Sequence, residues 1–195
     1  MEGRKESADH SEEGRPRRVF IDLGTNSLPV TAMGSREFSE DETYIGVDKS
    51  RKYARQNQEL AKDDFPENEN IHFLQADAKK LPVRNESVDE VFLGNLLGSS
   101  NISEEEKNKF LQEAKRILKT GGKVIVKETN TPALPQDFVD MARRNGFILE
   151  KAVSANSPEW PEAVRPYEAV AGTDFMQEHH KELQSFIAFL KLPDK

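Results

Sequence analysis

The chain contains no cysteine, only four histidines and no long apolar run. Without cysteine it has no disulfide framework, no thiolate nucleophile and no cysteine metal site. The histidines are scattered, which disfavours a metal site built from them. No apolar run approaches the roughly 18 residues that a membrane-spanning helix needs, and the N-terminus lacks the apolar stretch of a secretory signal. We therefore expect a cytoplasmic protein with no membrane anchor and no bound metal.

The residues that are present fit one globular domain. The chain has 195 residues, of which 35% are hydrophobic and 32% charged, enough for a single substantial core. The net charge of -7 disfavours a nucleic-acid footprint over the whole surface, although it does not exclude a local basic patch. We expect the charged residues 1–17 to form a disordered tail and residues 18–195 a single domain. The sequence gives no indication of the oligomeric state.

From residue 18 onward, short apolar segments alternate with helical patterns, which predicts a parallel sheet with helices on both faces. We expect strands at 19–23, 43–47, 71–75, 88–93, 123–127, 147–153 and 184–192, and helices at 51–62, from 103 to the glycine pair 121–122, and at 135–145. The first four strands end near Gly24, Asp48, Asp77 and Asn95. Because ligands of such sheets bind beyond the carboxyl ends of the strands, we expect these residues along one rim.

The start of the second predicted helix, at Ser103, has a clear chemical signal. Ser103 and Glu106 form the Ser-x-x-Glu pattern of a capping box, in which each side chain accepts a hydrogen bond from the backbone N–H of the other. We expect Gly121 and Gly122 to end this helix, because glycine readily takes the left-handed conformation found at helix C-termini.

The order of elements from Ile71 to Thr129 is specific. A strand ending at Asp77 precedes a Leu-Pro turn, a second strand, an amphipathic helix, a Gly-Gly turn and a third strand. This order resembles the middle of class I S-adenosylmethionine-dependent methyltransferases, and the resemblance covers about residues 18–153. It implies a Rossmann-like, doubly wound sheet of seven strands, mostly parallel with an antiparallel last strand. It further implies S-adenosylmethionine as cofactor and methyl transfer to an oxygen or nitrogen of a small-molecule acceptor.

The same resemblance implies a set of cofactor-binding residues. Asp48 would bind both ribose hydroxyls, since one carboxylate accepts two hydrogen bonds from a cis-diol. Asp77 would accept a hydrogen bond from the adenine amino group, and the backbone N–H of Ala78 would meet a ring nitrogen. Both aspartates also fit a purely structural role as capping residues. Asn95 lies where the family places the transferred methyl group, and it is equally consistent with a structural and a functional role.

The loop after the first strand departs from the family pattern D-x-G-x-G-x-G. Asp22 and Gly24 match it, but Asn26 and Leu28 occupy the positions of the second and third glycines. These glycines allow positive φ and a close approach of backbone to cofactor, and asparagine is the other residue that best tolerates positive φ. We expect Asn26 to adopt positive φ and Leu28 to turn away from the cofactor.

The altered loop leaves an alternative open, namely a catalytically inactive methyltransferase-like domain used for binding or assembly. A nicotinamide dinucleotide enzyme is a third hypothesis, but it requires G-x-G-x-x-G after the first strand, and this chain has GTNSLP.

Residues 155–183 are interpreted as an insertion near the substrate rim. This segment contains Trp160, Tyr167, His179 and His180. A histidine could serve as a general base at neutral pH. Because adjacent helical residues face different directions, we expect at most one of the two to point inward, and an exposed surface pair is the simpler interpretation. The sequence assigns no catalytic residue.

Overall fold

The computed structural model describes residues 17–26, 39, 41–129, 136–167 and 179–193 of the chain. The strands, numbered β1 to β7 in chain order, are Arg18–Leu23, Glu42–Asp48, Ile71–Gln75, Val88–Gly94, Leu118–Glu128, Ile148–Ser154 and Phe186–Lys191. The helices of the described residues, numbered α1 to α4, are Arg51–Asp64, Glu104–Ile117, Gln136–Arg144 and Trp160–Val164. Residues 1–16, most of the predicted disordered tail, lie outside the described part of the chain.

All seven strands form one sheet in the order β3-β2-β1-β4-β5-β7-β6. In the first five positions of this order, from β3 through β2, β1 and β4 to β5, all neighbouring strands are parallel. Strand β7 lies between β5 and β6 and is antiparallel to both. The predicted seven-stranded sheet with an antiparallel last strand is therefore confirmed. Strand order reverses at β1, whose neighbours are β2 and β4, and the carboxyl end of such a junction is where this class of sheet binds ligands.

Helices cover both faces of the sheet, and the buried side chains of β1 are divided between the two faces. Ile21 and Leu23 of β1 belong to the core that contains residues of α2 and α3. Phe20, directly before Ile21, belongs to the opposite core, which contains residues of α4 together with Ala61 of α1. This alternation is what a strand produces when helices cover both sides of the sheet.

Helix α2 begins as the sequence predicts, but it ends earlier. The capping box between Ser103 and Glu106 is present. The helix stops at Leu118, which has extended backbone angles, and β5 starts at that residue. The prediction that Gly121 and Gly122 end the helix is therefore wrong. Gly121 instead takes its positive φ of 74° inside β5, where the pairing with β4 shifts register between Val88 and Glu90 and needs an irregular backbone.

None of the helices in the described ranges combines the length and hydrophobicity that crossing a bilayer requires.

Candidate active site

A cleft of about 590 Å³ opens beyond the carboxyl ends of β1, β4 and β5. Its walls come from the loop after β1, the loop after β4, the end of β5 and the segment before β7. The lining residues are Asp22, Gly24, Thr25, Asn26, Phe92, Gly94, Asn95, Leu96, Ser99, Ile102, Lys127, Thr129, Tyr167, His179, His180 and Leu183. Of the predicted site residues, the cleft therefore brings together Asp22, Gly24, Asn26 and Asn95.

The described residues of the loop after β1 include two with positive φ. Gly24 has a φ of 75°, a conformation that favours glycine. A Cβ there would lie 3.1 Å from Leu96 Cδ2, so the Leu96 side chain would have to shift slightly. Asn26 has a φ of 49°, which confirms the predicted positive φ. Leu28 lies outside the described residues. At the base of the loop, the buried Asp22 accepts a hydrogen bond of 2.7 Å from the Tyr44 hydroxyl.

Hydrogen bonds from other elements hold both peptide groups of Asn26. Its N–H donates to Asp48 Oδ2 at 2.9 Å, and its carbonyl accepts from Asn57 Nδ2 of α1 at 2.7 Å. Asn57 was not identified from the sequence, because nothing distinguishes it from other polar residues of a polar helix.

The two acidic strand ends lie side by side. Asp48 ends β2, and Asp77 follows β3, which pairs with β2 in parallel. Asp48 Oδ1 also accepts from the N–H of Ser50 at 2.7 Å, so the carboxylate spans from the β1 loop to the start of α1. Asp77 Oδ1 accepts from the N–H of Lys79 at 3.0 Å. Neither aspartate is among the residues that line the cleft.

Asn95 connects the ends of β4 and β5. Its N–H donates to the carbonyl of Lys127 at 2.8 Å, and its Oδ1 accepts from both the N–H and the hydroxyl of Thr129 at 2.9 Å. These bonds hold Asn95 at a φ of 55°. The structural role that the sequence left open is therefore present, and a role in cofactor binding stays a prediction.

Glu128, the last residue of β5, is a buried acid on the face of the sheet that α2 and α3 cover. It is 2% exposed, and its carboxylate accepts from the N–H groups of Leu97, at 2.8 Å, and Gly98 in the loop after β4. Burial raises the pKa of its carboxyl to about 7, against the opposing effect of those N–H groups and of Lys107 and Lys127.

A second cavity, of about 210 Å³, adjoins Glu128. Its charged lining residues besides Glu128 are Glu104 and Lys107 of α2 and Asp137 of α3. No local pattern in the sequence indicates that Glu128 is buried, because the alternation that buries it appears only once β5 is known to extend that far.

The two histidines before β7 both line the cleft. Residues 179–182 form a helical turn, and the N–H of Ser185 donates to the carbonyl of His180 at 3.0 Å. His180 is 2% exposed, with its Nδ1 2.9 Å from Ser185 Oγ and its ring 5.2 Å from that of Trp160. The expectation that at most one of the two side chains points inward is confirmed, because His180 is buried while His179 stays exposed on the cleft wall. The simpler interpretation of an exposed pair is wrong, because the ring of His180 packs against Trp160 of α4.

The residues present fit the adenosine part of S-adenosylmethionine. A carboxylate offers about four acceptor positions, and Asp48 uses one on each oxygen for backbone N–H groups, which leaves acceptors for a cis-diol. Among the described residues, the N–H of Ala78 donates to no acceptor, so it is available to a ring nitrogen. A ligand reaching from the cleft to Asp77 would lie across the carboxyl ends of the parallel strands.

In the part of the chain that the structure describes, no group of three or more histidine, aspartate or glutamate side chains is placed to hold a metal ion.

Comparison with known proteins agrees with this geometry. A family model described as a methyltransferase domain matches residues 21–126, more than half of the chain. Among curated proteins, a demethylmenaquinone methyltransferase from Clavibacter sepedonicus is 31% identical over 135 residues, which cover 67% of this chain and 45% of that protein. The chain thus matches somewhat less than half the length of its curated relatives.

Solved structures share the fold. The [4+2]-cyclase SpnF superposes with a TM-score of 0.64 at 16% identity, covering 92% of this chain and 76% of that one. A geranyl diphosphate C-methyltransferase from Streptomyces coelicolor, solved with S-adenosylhomocysteine, Mg²⁺ and geranyl diphosphate, gives a TM-score of 0.60 at 12% identity, covering 94% of this chain and 76% of that one. With the family model matching more than half of its residues, the chain belongs to the class I S-adenosylmethionine-dependent methyltransferases, the family whose cofactor is S-adenosylmethionine.

Proposed function

We propose that the chain is an active methyltransferase that methylates a small-molecule acceptor in the cleft beyond β1, β4 and β5. The observation that carries this proposal is the conformation of Asn26. Its φ of 49° and the hydrogen bonds to both of its peptide groups give the loop the backbone that glycine provides in the family pattern. The substituted glycine therefore does not argue against cofactor binding.

Three residues would hold the adenosine part of the cofactor. Asp48 would accept hydrogen bonds from the ribose hydroxyls with the acceptor positions that its contacts to Asn26 and Ser50 leave unused. Asp77 would accept from the adenine amino group, and the N–H of Ala78 would donate to a ring nitrogen. All three assignments rest on the family resemblance together with the adjacency of β2 and β3.

The remaining predicted residues would contact or support the methionine part. Gly24 and Asn26 supply the close backbone surface beside the cleft. Asp22, bonded to Tyr44, would fix the base of that loop. Asn95 would form the opposite wall, with its Oδ1 held by Thr129.

The acceptor would have an apolar body and a polar reacting group. Apolar side chains of Phe92, Leu96, Ile102, Tyr167 and Leu183 line the cleft together with its polar residues, which is the usual composition of a small-molecule site. The family resemblance implies oxygen or nitrogen as the acceptor atom. The relatives include a demethylmenaquinone methyltransferase and a C-methyltransferase, so carbon is a further candidate.

Bound S-adenosylmethionine supplies a methyl group on a positively charged sulfonium. The task of the protein is then to align the acceptor with that methyl group, and alignment alone supplies much of the rate of such a displacement. The cleft walls, together with Tyr167 stacked on Phe92 at 5.1 Å between ring centroids, would restrict the acceptor and exclude water.

The proposal is tested by titrating the purified protein with S-adenosylhomocysteine in a calorimeter. Asp48→Ala should weaken binding by about 1.5–3 kcal/mol, the range for a hydrogen bond to a charged group. Asp63→Ala, which removes an exposed acid of α1, should leave the affinity unchanged. Methyl transfer from labelled S-adenosylmethionine to a panel of phenols, amines and quinols then tests catalysis. Equal affinities of the wild type and Asp48→Ala would refute the ribose assignment.

The substituted loop is also what favours the alternative of an inactive binding or assembly domain. That alternative predicts a folded protein that fails to bind S-adenosylhomocysteine at millimolar concentration.

A further inference from the structure

Asn57, in the middle of α1, contacts the loop in which asparagine replaces glycine. Its side chain is 1% exposed. Its Nδ2 donates to the carbonyl of Asn26 at 2.7 Å and to Thr25 Oγ1 at 3.3 Å. These two bonds join α1 to the loop after β1, which lies 31 residues earlier in the chain.

The contact falls on a residue with an unfavourable backbone conformation. A residue with a Cβ resists positive φ, and asparagine resists it less than most. Asn26 nevertheless has a φ of 49°. Its N–H is held by Asp48 at 2.9 Å and its carbonyl by Asn57, so contacts from two other elements fix the peptide groups on both sides of that Cα.

The orientation of the Asn57 amide shows that its donor is the important group. A flipped amide would place its oxygen against the Asn26 carbonyl oxygen, so the observed orientation is the favourable one. In this orientation the buried Oδ1 accepts no hydrogen bond from the residues that the structure describes. An unpaired buried acceptor is destabilising, and a packing role alone would be better served by an apolar side chain.

We propose that Asn57 is a positioning residue of the cofactor site. It holds Asn26 at positive φ and thereby replaces, through a tertiary contact, the conformational freedom of the missing glycine. This inference rests on the proposed function, because it assigns the loop to cofactor binding. It predicts that residues 26 and 57 act on S-adenosylhomocysteine affinity as one unit.

The test is a double-mutant cycle with S-adenosylhomocysteine as the titrated probe. Asn57→Ala should weaken binding about five- to tenfold in the wild-type loop, the equivalent of one lost hydrogen bond. In the Asn26→Gly background the same change should weaken it less than about twofold, because glycine takes positive φ without support. A general packing defect of α1 would lower affinity equally in both backgrounds.

Two further variants separate positioning from stability. Asn57→Leu has a side chain of similar size and fills the same buried space, so it should lower the melting temperature less than Asn57→Ala does while it weakens binding about as much. The neighbouring Gln58 accepts from the N–H of Phe73 at 2.9 Å and serves as the matched control. Gln58→Ala should lower the melting temperature and leave the affinity within about twofold.

The outcomes are distinguishable. Equal losses in the two backgrounds, or wild-type affinity in Asn57→Leu, would overturn the role of Asn57 and leave the proposed function intact. A folded wild-type protein that does not bind S-adenosylhomocysteine would instead refute the proposed function and, with it, this inference.

Discussion

Replacing Glu128 by glutamine should remove a specific part of the pH dependence of stability. Glu128 is buried beside the loop after β4, and burial raises the pKa of its carboxyl from the usual 4.5 to about 7. Glutamine has nearly the same shape and carries no titratable proton. The substitution therefore separates the ionisation of the side chain from the space that it fills.

The sign and size of the effect follow from the difference in pKa between the folded and unfolded chain. The native state holds the proton more tightly, so the contribution of Glu128 to the free energy of unfolding is fully present below 4.5 and is lost as pH rises through 7. At 1.36 kcal/mol for each pKa unit, the full loss is about 3 kcal/mol. Between roughly pH 5.5 and pH 8, linkage gives a loss of about 2 kcal/mol.

The measurement is urea unfolding followed by the fluorescence of Trp160, which is the only tryptophan of the chain and is 1% exposed. The free energy of unfolding is determined across the same pH range for the wild type, for Glu128→Gln and for the control Glu67→Gln, which changes an exposed acid. As pH rises, the free energy of unfolding of the wild type and of the control should fall by about 2 kcal/mol more than that of Glu128→Gln.

Parallel pH profiles for the wild type and Glu128→Gln would refute this account of Glu128. That outcome would mean that its carboxyl titrates at the same pH in the folded and unfolded chain, as it would if water reached it through the adjoining cavity.

Three further predictions concern other residues of the chain. Arg116→Ala should lower the free energy of unfolding by about 2 kcal/mol near neutral pH, because it leaves the buried Glu113 without its cation. Arg116 lowers the pKa of Glu113 below 4.5. The difference in free energy of unfolding between wild type and variant, measured by urea titration, should therefore become smaller as pH falls below that value. A difference that stays constant with pH would contradict the pairing. If His180 accepts a proton, His180→Gln should reduce the rate of methyl transfer to any acceptor that the wild type methylates by about 100-fold and leave the affinity for S-adenosylhomocysteine unchanged. His179→Gln should reduce this rate much less. Equal losses of rate in the two variants would exclude a special role for His180. Asn26→Val should abolish calorimetric binding of S-adenosylhomocysteine, because a β-branched residue resists positive φ, and near-normal binding would show that the loop needs no such conformation.

Much of the fold could be predicted because its signals are local. Short apolar runs that end at glycine or an acid marked β1 and β2, and the capping box at Ser103 marked the start of α2. The terminal apolar run marked β7. Each signal depends on residues within a few positions of one another, so it survives without knowledge of the tertiary structure.

Predictions failed where a boundary depended on a distant strand. Gly121 and Gly122 are good helix terminators by composition, yet α2 ends before them at Leu118. The pairing of β5 with β4 extends the strand through both glycines, and the register shift gives Gly121 its positive φ. No local pattern reports that pairing.

The sequence by itself determined the order of strands and helices, the acids at two strand ends and the asparagine where glycine is usual. Only the tertiary structure decided that Asn57 supports that asparagine, that Glu128 is buried with a raised pKa and that His180 lies in the cleft. The physical reason is that periodicity and capping depend on neighbours in the chain. Burial, ionisation and long-range hydrogen bonds depend instead on which surfaces exclude water once the layers pack, and that is fixed by residues tens of positions apart.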